Sequence, residues 1–480
     1  MTELICPLHE AAQISRDQPA ILSPDRDLIF SEVDEMASWV AYNLYQRGVR
    51  SGDRVGLYVA QDWRYPVLLL GILRAGGVAC LVSTRIPREA VVRQLGSIGC
   101  DKVIARVRDP EQVAKEGLTA FEPGEIMMAP LEPLPPVAHR YVGLDQAATI
   151  LFTSGSSGMP KAVLHTFGNH YYSARGANEN LRLRSRDRWL VNLPMYHVGG
   201  LGILFRCLLS GATMVFPAPG DTLEEGQAAY AVTHLSLVPT QLKRLVDRPD
   251  PPDGFAKLKA ILLGGSPCDP ATLSAALRRN WPVFTTYGLT EMASQVTTMP
   301  PDAPRTKRMT SGLLLHHREL AIDERGELLV KGPCLFSGYV EGEDVVPAVD
   351  GEGWFHTNDR GSVDEEGYLT VTGRFDSMFI SGGENIHPEM IEAVLGSIPG
   401  IRRAVVASIP DEEFGRRPVA FVSREEVPDD VIDGALGRAL PSFMRPLAYY
   451  EWPEGEEWNE DKIERDKWNL LAEALYHANG

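Results

Sequence analysis

Apolar positions along this chain fall into short β-rich runs separated by helical patterns. RVGLYVA at 54–60 reads as a strand, PVLLLGILRAG at 66–76 as a short helix ending in a glycine turn, and VACLVS at 78–83 as the next strand. The same alternation returns in ATMVFP at 212–217 and THLSLVP at 233–239. Continuous rather than alternating apolar runs predict strands buried on both faces, so the expected architecture is α/β with a mainly parallel sheet. From Arg325 to Tyr339 the pattern becomes short strands and turns, GELLVKGPCLFSGY, followed by the acidic, glycine-dotted EGEDVVPAVDGEG. This predicts a smaller β subdomain at about 310–374 within a first domain of residues 1–374. After GRFDSMF at 373–379, helix and strand signals resume as PEMIEAVLGSI, RRAVVASIP and PVAFVS, which predicts a compact α+β domain over 375–480.

Between the apolar runs ATILF and AVLH stand nine residues, TSGSSGMPK, from Thr153 to Lys161. Gly155 and Gly158 permit backbone angles at which successive N–H groups converge on an anion. The hydroxyls of Thr153, Ser154, Ser156 and Ser157 and the Lys161 ammonium add donors and charge. A flexible hairpin tip is the plainer account, but a lone lysine closing the loop favours a polyphosphate. Met159 and Pro160 intervene before the lysine and no helix start follows, so this is not a Walker loop.

Composition narrows the partners. The chain has 480 residues, 44% hydrophobic and 23% charged, which is long enough for two or three globular units. Lys and Arg total 47 against 64 for Asp and Glu, and the net charge of −17 argues against a nucleic-acid partner. Cys6, Cys80, Cys100, Cys207, Cys268 and Cys334 form no CxxC pair, several lie inside apolar runs, and the N-terminus reads as no signal peptide. A reducing cytoplasm is the expected location. The most apolar segment, Pro66 to Val82, is interrupted by Arg74 and Gly76-Gly77, so no membrane insertion is expected.

Two further segments suit a nucleotide. YGLTEMASQV at 287–296 offers an aromatic face in Tyr287, a hydroxyl in Thr290 and a carboxylate in Glu291, matching adenine stacking, phosphate contact and a magnesium ligand. By itself such a run is ordinary. GWFHTNDRG at 353–361 places Asp359 after an aromatic strand, where a carboxylate could accept both ribose hydroxyls or simply cap a turn.

In order along the chain, the phosphate loop, LPMYHVGGL at 193–201, LLGGSP at 262–267, YGLTE at 287–291, GWFHTNDRG and GRFDSMFISGGENIHPEMIE at 373–392 resemble the adenylate-forming superfamily of acyl-CoA synthetases, luciferases and peptide-synthetase adenylation domains. The resemblance implies a large N-terminal domain with a mobile C-terminal lid. It also implies a two-step reaction with ATP, Mg2+ and coenzyme A: a carboxylate attacks the α-phosphate, and a thiol then displaces AMP. It assigns the nucleotide to 153–158, Lys161, Tyr287, Gly288, Thr290, Asp359 and Arg374, the metal to Glu291, and the lid hinge to Asp376. The catalytic lysine falls in WNEDKIERDKW, where Asp461 replaces a common glycine. Lys462 fits by its following Ile463 and Arg465, with Lys467 a nearby competitor.

Within the superfamily, THLSLVPTQLKRLV at 233–246, ILFRCLLSG at 203–211, EEFGRRPVAFV at 412–422 and LPSFMRPLAYYEWP at 440–453 resemble the o-succinylbenzoate-CoA ligases of menaquinone biosynthesis. Such a substrate keeps one carboxylate unactivated, and a carboxylate in an apolar pocket needs a cation or several donors. Arg206 is the only charge in its run, and either meets that carboxylate, with Ser294, Gly264, Gly265 and Ser266 lining the pocket, or snorkels to the surface. His197 either orients the acid near the thiol or belongs to the core. Another aryl- or medium-chain acyl-CoA synthetase and a carrier-protein-loading enzyme are the alternatives, and a homo-oligomer is left open.

Overall fold

The computed structural model describes residues 3–106, 116–131, 141–153, 160–268, 270–375, 377–453 and 465–479. Ser154, Gly155, Ser156, Ser157, Gly158, Asp376 and Lys462 therefore lie outside the described residues. The chain groups into two compact units, Met1–Thr84 with Leu95–Phe152 and Ala162–Gly373, and Arg85–Gln94 with Thr153–Lys161 and Arg374–Gly480.

The first unit is α/β. Its eight-stranded sheet has a parallel centre built from Ala147–Thr153, Val78–Leu81, Arg54–Tyr58, Lys102–Ala105 and Thr119–Phe121. Its nine-stranded sheet has a parallel centre running Val283–Leu289, Ala260–Leu263, His234–Leu237, Arg188–Leu190, Thr213–Val215 and Pro19–Leu22. One continuous core takes side chains from both sheets, such as Leu81 and Leu151 from the first and Trp189 and Leu262 from the second. Helices Arg64–Arg74 and Val198–Ser210 are buried in it along most of their length, which explains why both sequences are apolar all round. Arg74, the charge that interrupts the first of these, is spent on Asp34 at 2.5 Å and on the Ser38 hydroxyl at 2.7 Å.

Glu319–Ile322, Glu327–Lys331, Phe355–Val363 and Leu369–Arg374 form a four-stranded sheet, antiparallel where its register is defined. The expected β subdomain is narrower than its sequence span. The hairpin Gly338–Glu341 with Asp344–Val346 leaves it and pairs with Lys161–Thr166 at the edge of the eight-stranded sheet. Local sequence carries no signal for this, because the partner strand is remote along the chain.

The second unit is α+β. A long hairpin of Ile401–Asp411 and Gly415–Arg424 alternates its side chains between two faces. Val406, Ala420 and Val422 face a core shared with helices Pro388–Gly396 and Asp429–Ala439. Val405, Ala407 and Phe421 face Trp468 and Ala472 of helix Arg465–Asn479. Among the described residues no helix is long and apolar enough to cross a membrane. The six cysteines are free thiols, four of them buried.

Helix Arg64–Arg74 crosses helix Phe30–Gln46 at Gly71, where an added Cβ would lie 2.2 Å from Val40 Cγ1. Gly71→Ala should therefore lower the urea midpoint despite its better helix propensity, because overpacking costs about 1–3 kcal/mol against a propensity gain of about 1. An unchanged or raised midpoint would show that the helices can separate at no cost.

Candidate active site

The centre of the site is a strained hairpin. Strand Val283–Leu289 enters the 3-10 turn Thr290–Met292 and returns antiparallel as Ser294–Thr298, with a register break at Tyr287/Gly288. At Gly288 an added Cβ would meet Ser294 O at 2.0 Å, so only glycine allows this closure. Ala293 and Ser294 have φ of 51° and 125°, conformations that cost a non-glycine residue about 1–3 kcal/mol each.

Fixed donors hold the turn. His165 Nε2 donates to Thr290 O at 2.8 Å, Ser173 Oγ donates to Ala293 O at 2.9 Å, and Phe336 N donates to Glu291 O at 2.8 Å. The Glu291 carboxylate accepts the Tyr339 hydroxyl through Oε1 at 2.7 Å, which orients it. Tyr287 is likewise anchored, its hydroxyl donating to Asp359 Oδ2 at 2.7 Å. The structure thus joins the tyrosine and the carboxylate that the sequence suggested separately for adenine and ribose.

Asp359 does not sit in a turn as its neighbours suggested. It lies inside strand Phe355–Val363, buried, directly after Asn358 at φ 59°. The turn-like Asn-Asp pair marks a bulge, since asparagine tolerates the left-handed conformation better than most residues.

Arg206 lies on helix Val198–Ser210 and is 1% exposed, so it does not snorkel. Its Nη2 donates to Ser294 Oγ at 3.1 Å, its guanidinium lies 5.2 Å from the centre of the Trp189 ring, and Nε and Nη1 have no hydrogen-bond partner among the described residues. Burial pushes its pKa down to about 10.

Arg318, also buried, provides the contrast. It donates Nε to Gln295 O at 2.6 Å, Nη1 to His316 O at 2.6 Å, and Nη2 to Ser173 O at 3.0 Å and Ser173 Oγ at 3.1 Å. Arg318 is a saturated structural cation, whereas Arg206 retains two buried donors facing no acceptor. A carboxylate is the ligand chemistry that fits such a guanidinium.

Gly264 follows strand Ala260–Leu263 and lets Thr286 approach, since a Cβ there would meet Thr286 Cγ2 at 2.6 Å. Thr286 Oγ1 in turn lies 3.0 Å from Thr298 Oγ1, which accepts Gln295 Nε2 at 2.5 Å beside Ser294. Gly265 takes φ 90° and is exposed, and Ser266 is half-buried beyond it. His197 starts the Arg206 helix as its N-terminal flanking residue, with its ring 4.8 Å from that of Tyr196.

The remaining assigned residues belong to the second unit. Lys161 is exposed at the start of its strand, with the Thr153 hydroxyl 3.5 Å from its carbonyl, and Arg374 is half-buried. Downstream of the assigned lysine, Arg465 is held by Glu389 at 3.3 Å, by Glu392 Oε2 at 2.9 Å and by Val406 O at 2.9 Å. Arg402 is engaged with Glu425, and Arg416 with Ser408 and Glu473.

Sequence reasoning passed over His165, Tyr339 and Arg318, which orient the hairpin. Each binds a partner remote in sequence, and a single polar residue inside an apolar strand was the one available signal for His165.

Two layered sheets, a small antiparallel sheet and an α+β tail, with a tyrosine and a carboxylate paired beside a strained turn, describe an enzyme of nucleotide-dependent acid activation, and the chain belongs to the AMP-binding enzyme family. It matches that family over residues 8–340 and the AMP-binding enzyme C-terminal domain over residues 390–454. It is similar to 2-succinylbenzoate–CoA ligase of Bacillus cereus (strain Q1), with 34% identity over 451 residues covering 92% of each chain. Among solved structures it is similar to a double mutant of o-succinylbenzoate CoA synthetase from Bacillus subtilis bound with its product analogue OSB-NCoA. That match has a TM-score of 0.88 and 28% identity, and covers 97% of this chain and 98% of that one. The Bacillus subtilis synthetase in complex with ATP and magnesium ion gives a TM-score of 0.72 at 28% identity, covering 97% and 99%.

The buried histidines predict acid sensitivity. Desolvation lowers the His165 pKa to about 4, and protonation would place an unpartnered N–H at its buried Nδ1. His170 and His234 are shifted the same way by burial. Between pH 6.5 and about 4 the unfolded chain binds more protons at His165, so that contribution is intact above pH 6.5 and is lost on acidification. His165→Gln keeps a donor for Thr290 O and should reduce the stability loss between about pH 7 and pH 4.5 by on the order of 2–3 kcal/mol. Urea unfolding at both pH values measures this, and equal losses in the two proteins would contradict the assignment.

Proposed function

We propose that this protein activates 2-succinylbenzoate, the o-succinylbenzoate of the sequence comparison, to its acyl-adenylate with ATP and then transfers the acyl group to coenzyme A, releasing pyrophosphate and AMP. The observation that carries the choice of acid is Arg206, a buried cation whose Nε and Nη1 donors have no partner. A substrate with a second carboxylate would complete it, whereas a fatty or simple aryl acid would leave it uncompensated. The similarity to 2-succinylbenzoate–CoA ligases supports the same reading.

The chemistry of the first half-reaction is positioning and charge neutralisation. Tyr287 and Asp359 would hold the nucleoside, with Gly288 keeping the backbone close. The 153–158 segment, Lys161 and Thr290 would face the phosphates, and Arg374 and Lys462 would stabilise charge on the α-phosphate. Magnesium would screen the phosphate oxygens. No group of three or more His, Cys, Asp or Glu able to cage a metal occurs among the described residues, and a magnesium ion shared between Glu291 and substrate phosphates needs none. His197, Ser294 and the Gly264–Ser266 turn would line the acid pocket around Arg206. Asp376 would be the hinge about which the C-terminal domain, 375–480, exchanges Lys462 for the pantetheine route between half-reactions. The free thiols and the biosynthetic substrates fit a cytoplasmic enzyme.

AMP release measured over a panel of acids, with and without coenzyme A, tests the assignment. 2-Succinylbenzoate should be preferred over benzoate and fatty acids, and Arg206→Ala should raise the KM for the acid about tenfold or more while changing that for ATP by about twofold or less. An unaltered acid KM would remove Arg206 from the pocket.

Lys462→Ala should slow acyl-adenylate formation by about 10²-fold or more, leaving thioester formation from supplied acyl-adenylate much less affected. If Lys467→Ala produces that defect instead, the tail assignment is shifted.

A further inference from the structure

Asp359 owes its orientation to a bulge whose interior is filled by a carboxylate. Strand Glu327–Lys331 pairs Leu329 with His356 and Glu327 with Arg360, so strand Phe355–Val363 carries two more residues than its partner between those positions. The excess is taken up at Thr357, Asn358 and Asp359, with Asn358 at φ 59°. Asp359 N donates to Thr357 Oγ1 at 3.0 Å, and that hydroxyl donates to Leu328 O at 2.8 Å. Asn358 N donates to Glu327 Oε1 at 2.9 Å.

The Glu327 side chain is 3% exposed. Its Oε2 accepts Arg325 Nη2 at 2.9 Å and lies 3.1 Å from His356 Nδ1, while its backbone N donates to Asp323 Oδ1 at 2.8 Å. Both carboxylate oxygens are thus fixed from separate directions. One is tied to Arg325 in the turn before its strand and lies against His356 of the neighbouring strand, and the other accepts the backbone N–H of Asn358, one residue before Asp359. An acceptor held this way stabilises the left-handed kink at Asn358, and the kink sets which way the next side chain points.

We propose that Glu327 is a positioning residue for the nucleotide: by accepting the Asn358 N–H it fixes the kink that aims the Asp359 carboxylate at Tyr287 and at the ribose hydroxyls. This rests on the reading of Asp359 as the ribose ligand. Glu327 touches no substrate in this scheme, so its loss should appear as lost ribose recognition rather than lost chemistry.

The test compares ATP with 2′-deoxy-ATP in the full-length enzyme, by initial rates of AMP or dAMP release. The parent should favour ATP in kcat/KM by about tenfold or more, since a carboxylate that loses a hydroxyl partner forfeits a charge-assisted bond. Glu327→Ala should collapse that preference towards unity and raise the KM for ATP, with the KM for the acid and for coenzyme A unchanged within about twofold. Glu327→Gln, which retains an acceptor for the Asn358 N–H, should restore most of the preference. Asn358→Val, which disfavours positive φ, should reproduce the defect independently of Glu327, and Asn358→Gly should not.

Asp359→Ala separates the two levels of the argument. If it leaves the ATP preference intact, the ribose reading itself fails. If it abolishes the preference while Glu327→Ala retains it, or if Glu327→Ala raises all three KM values alike, the positioning role of Glu327 is overturned.

Discussion

The turn between strands Val283–Leu289 and Ser294–Thr298 is held in a backbone form that its residues disfavour, and Tyr287, Thr290, Glu291 and Ser294 take their positions from it. Ala293 and Ser294 at positive φ would relax if released. They are not released, because Ser173 takes the Ala293 carbonyl, His165 takes the Thr290 carbonyl, and Arg318 ties Gln295 O to Ser173 and His316. The result is that Tyr287, Thr290, Glu291 and Ser294, four residues with different expected tasks, are presented from one rigid turn. Strain stored there is balanced by hydrogen bonds from Ser173 of helix Phe167–Leu181 and His165 of strand Lys161–Thr166, both buried in the surrounding core.

The two buried arginines beside this turn meet the same desolvation penalty in different ways. Arg318 meets four acceptors and needs nothing further, so its charge is a fixed brace. Arg206 meets one hydroxyl, and the apolar run that contains it offers no second acceptor. Leaving a guanidinium incompletely satisfied in a core is destabilising, and proteins tolerate such groups where a ligand completes them. A carboxylate that completed Arg206 would gain more from the contact than it would at a surface, because its partner is already desolvated and already oriented.

Much of this was legible along the chain, for physical reasons that also set the limits. The runs RVGLYVA and VACLVS read as strands because residues buried on both faces leave a continuous apolar signature, and Arg206 stood out because a charge inside such a run demands explanation. Sheet order was not legible. Pairing of Gly338–Glu341 with Lys161–Thr166 depends on contacts between segments far apart, which no local pattern encodes. Asp359 misled because Asn358-Asp359 has the composition of a turn, and a bulge uses the same left-handed conformation inside a strand. Glu327 was invisible for a related reason: its function lies in one backbone N–H on a neighbouring strand, and no residue type announces that.

In the second unit the constraint is one of placement along the chain. Arg465 opens helix Arg465–Asn479 and is bound by Glu389 and Glu392 of helix Pro388–Gly396, while Ser377 donates to the same Glu389. The residue following the assigned hinge and the residue three positions after the assigned lysine are therefore tied to one carboxylate. Arg465 meets both oxygens of Glu392, and this bidentate pair fixes where helix Arg465–Asn479 begins against helix Pro388–Gly396 without using any residue assigned to the chemistry.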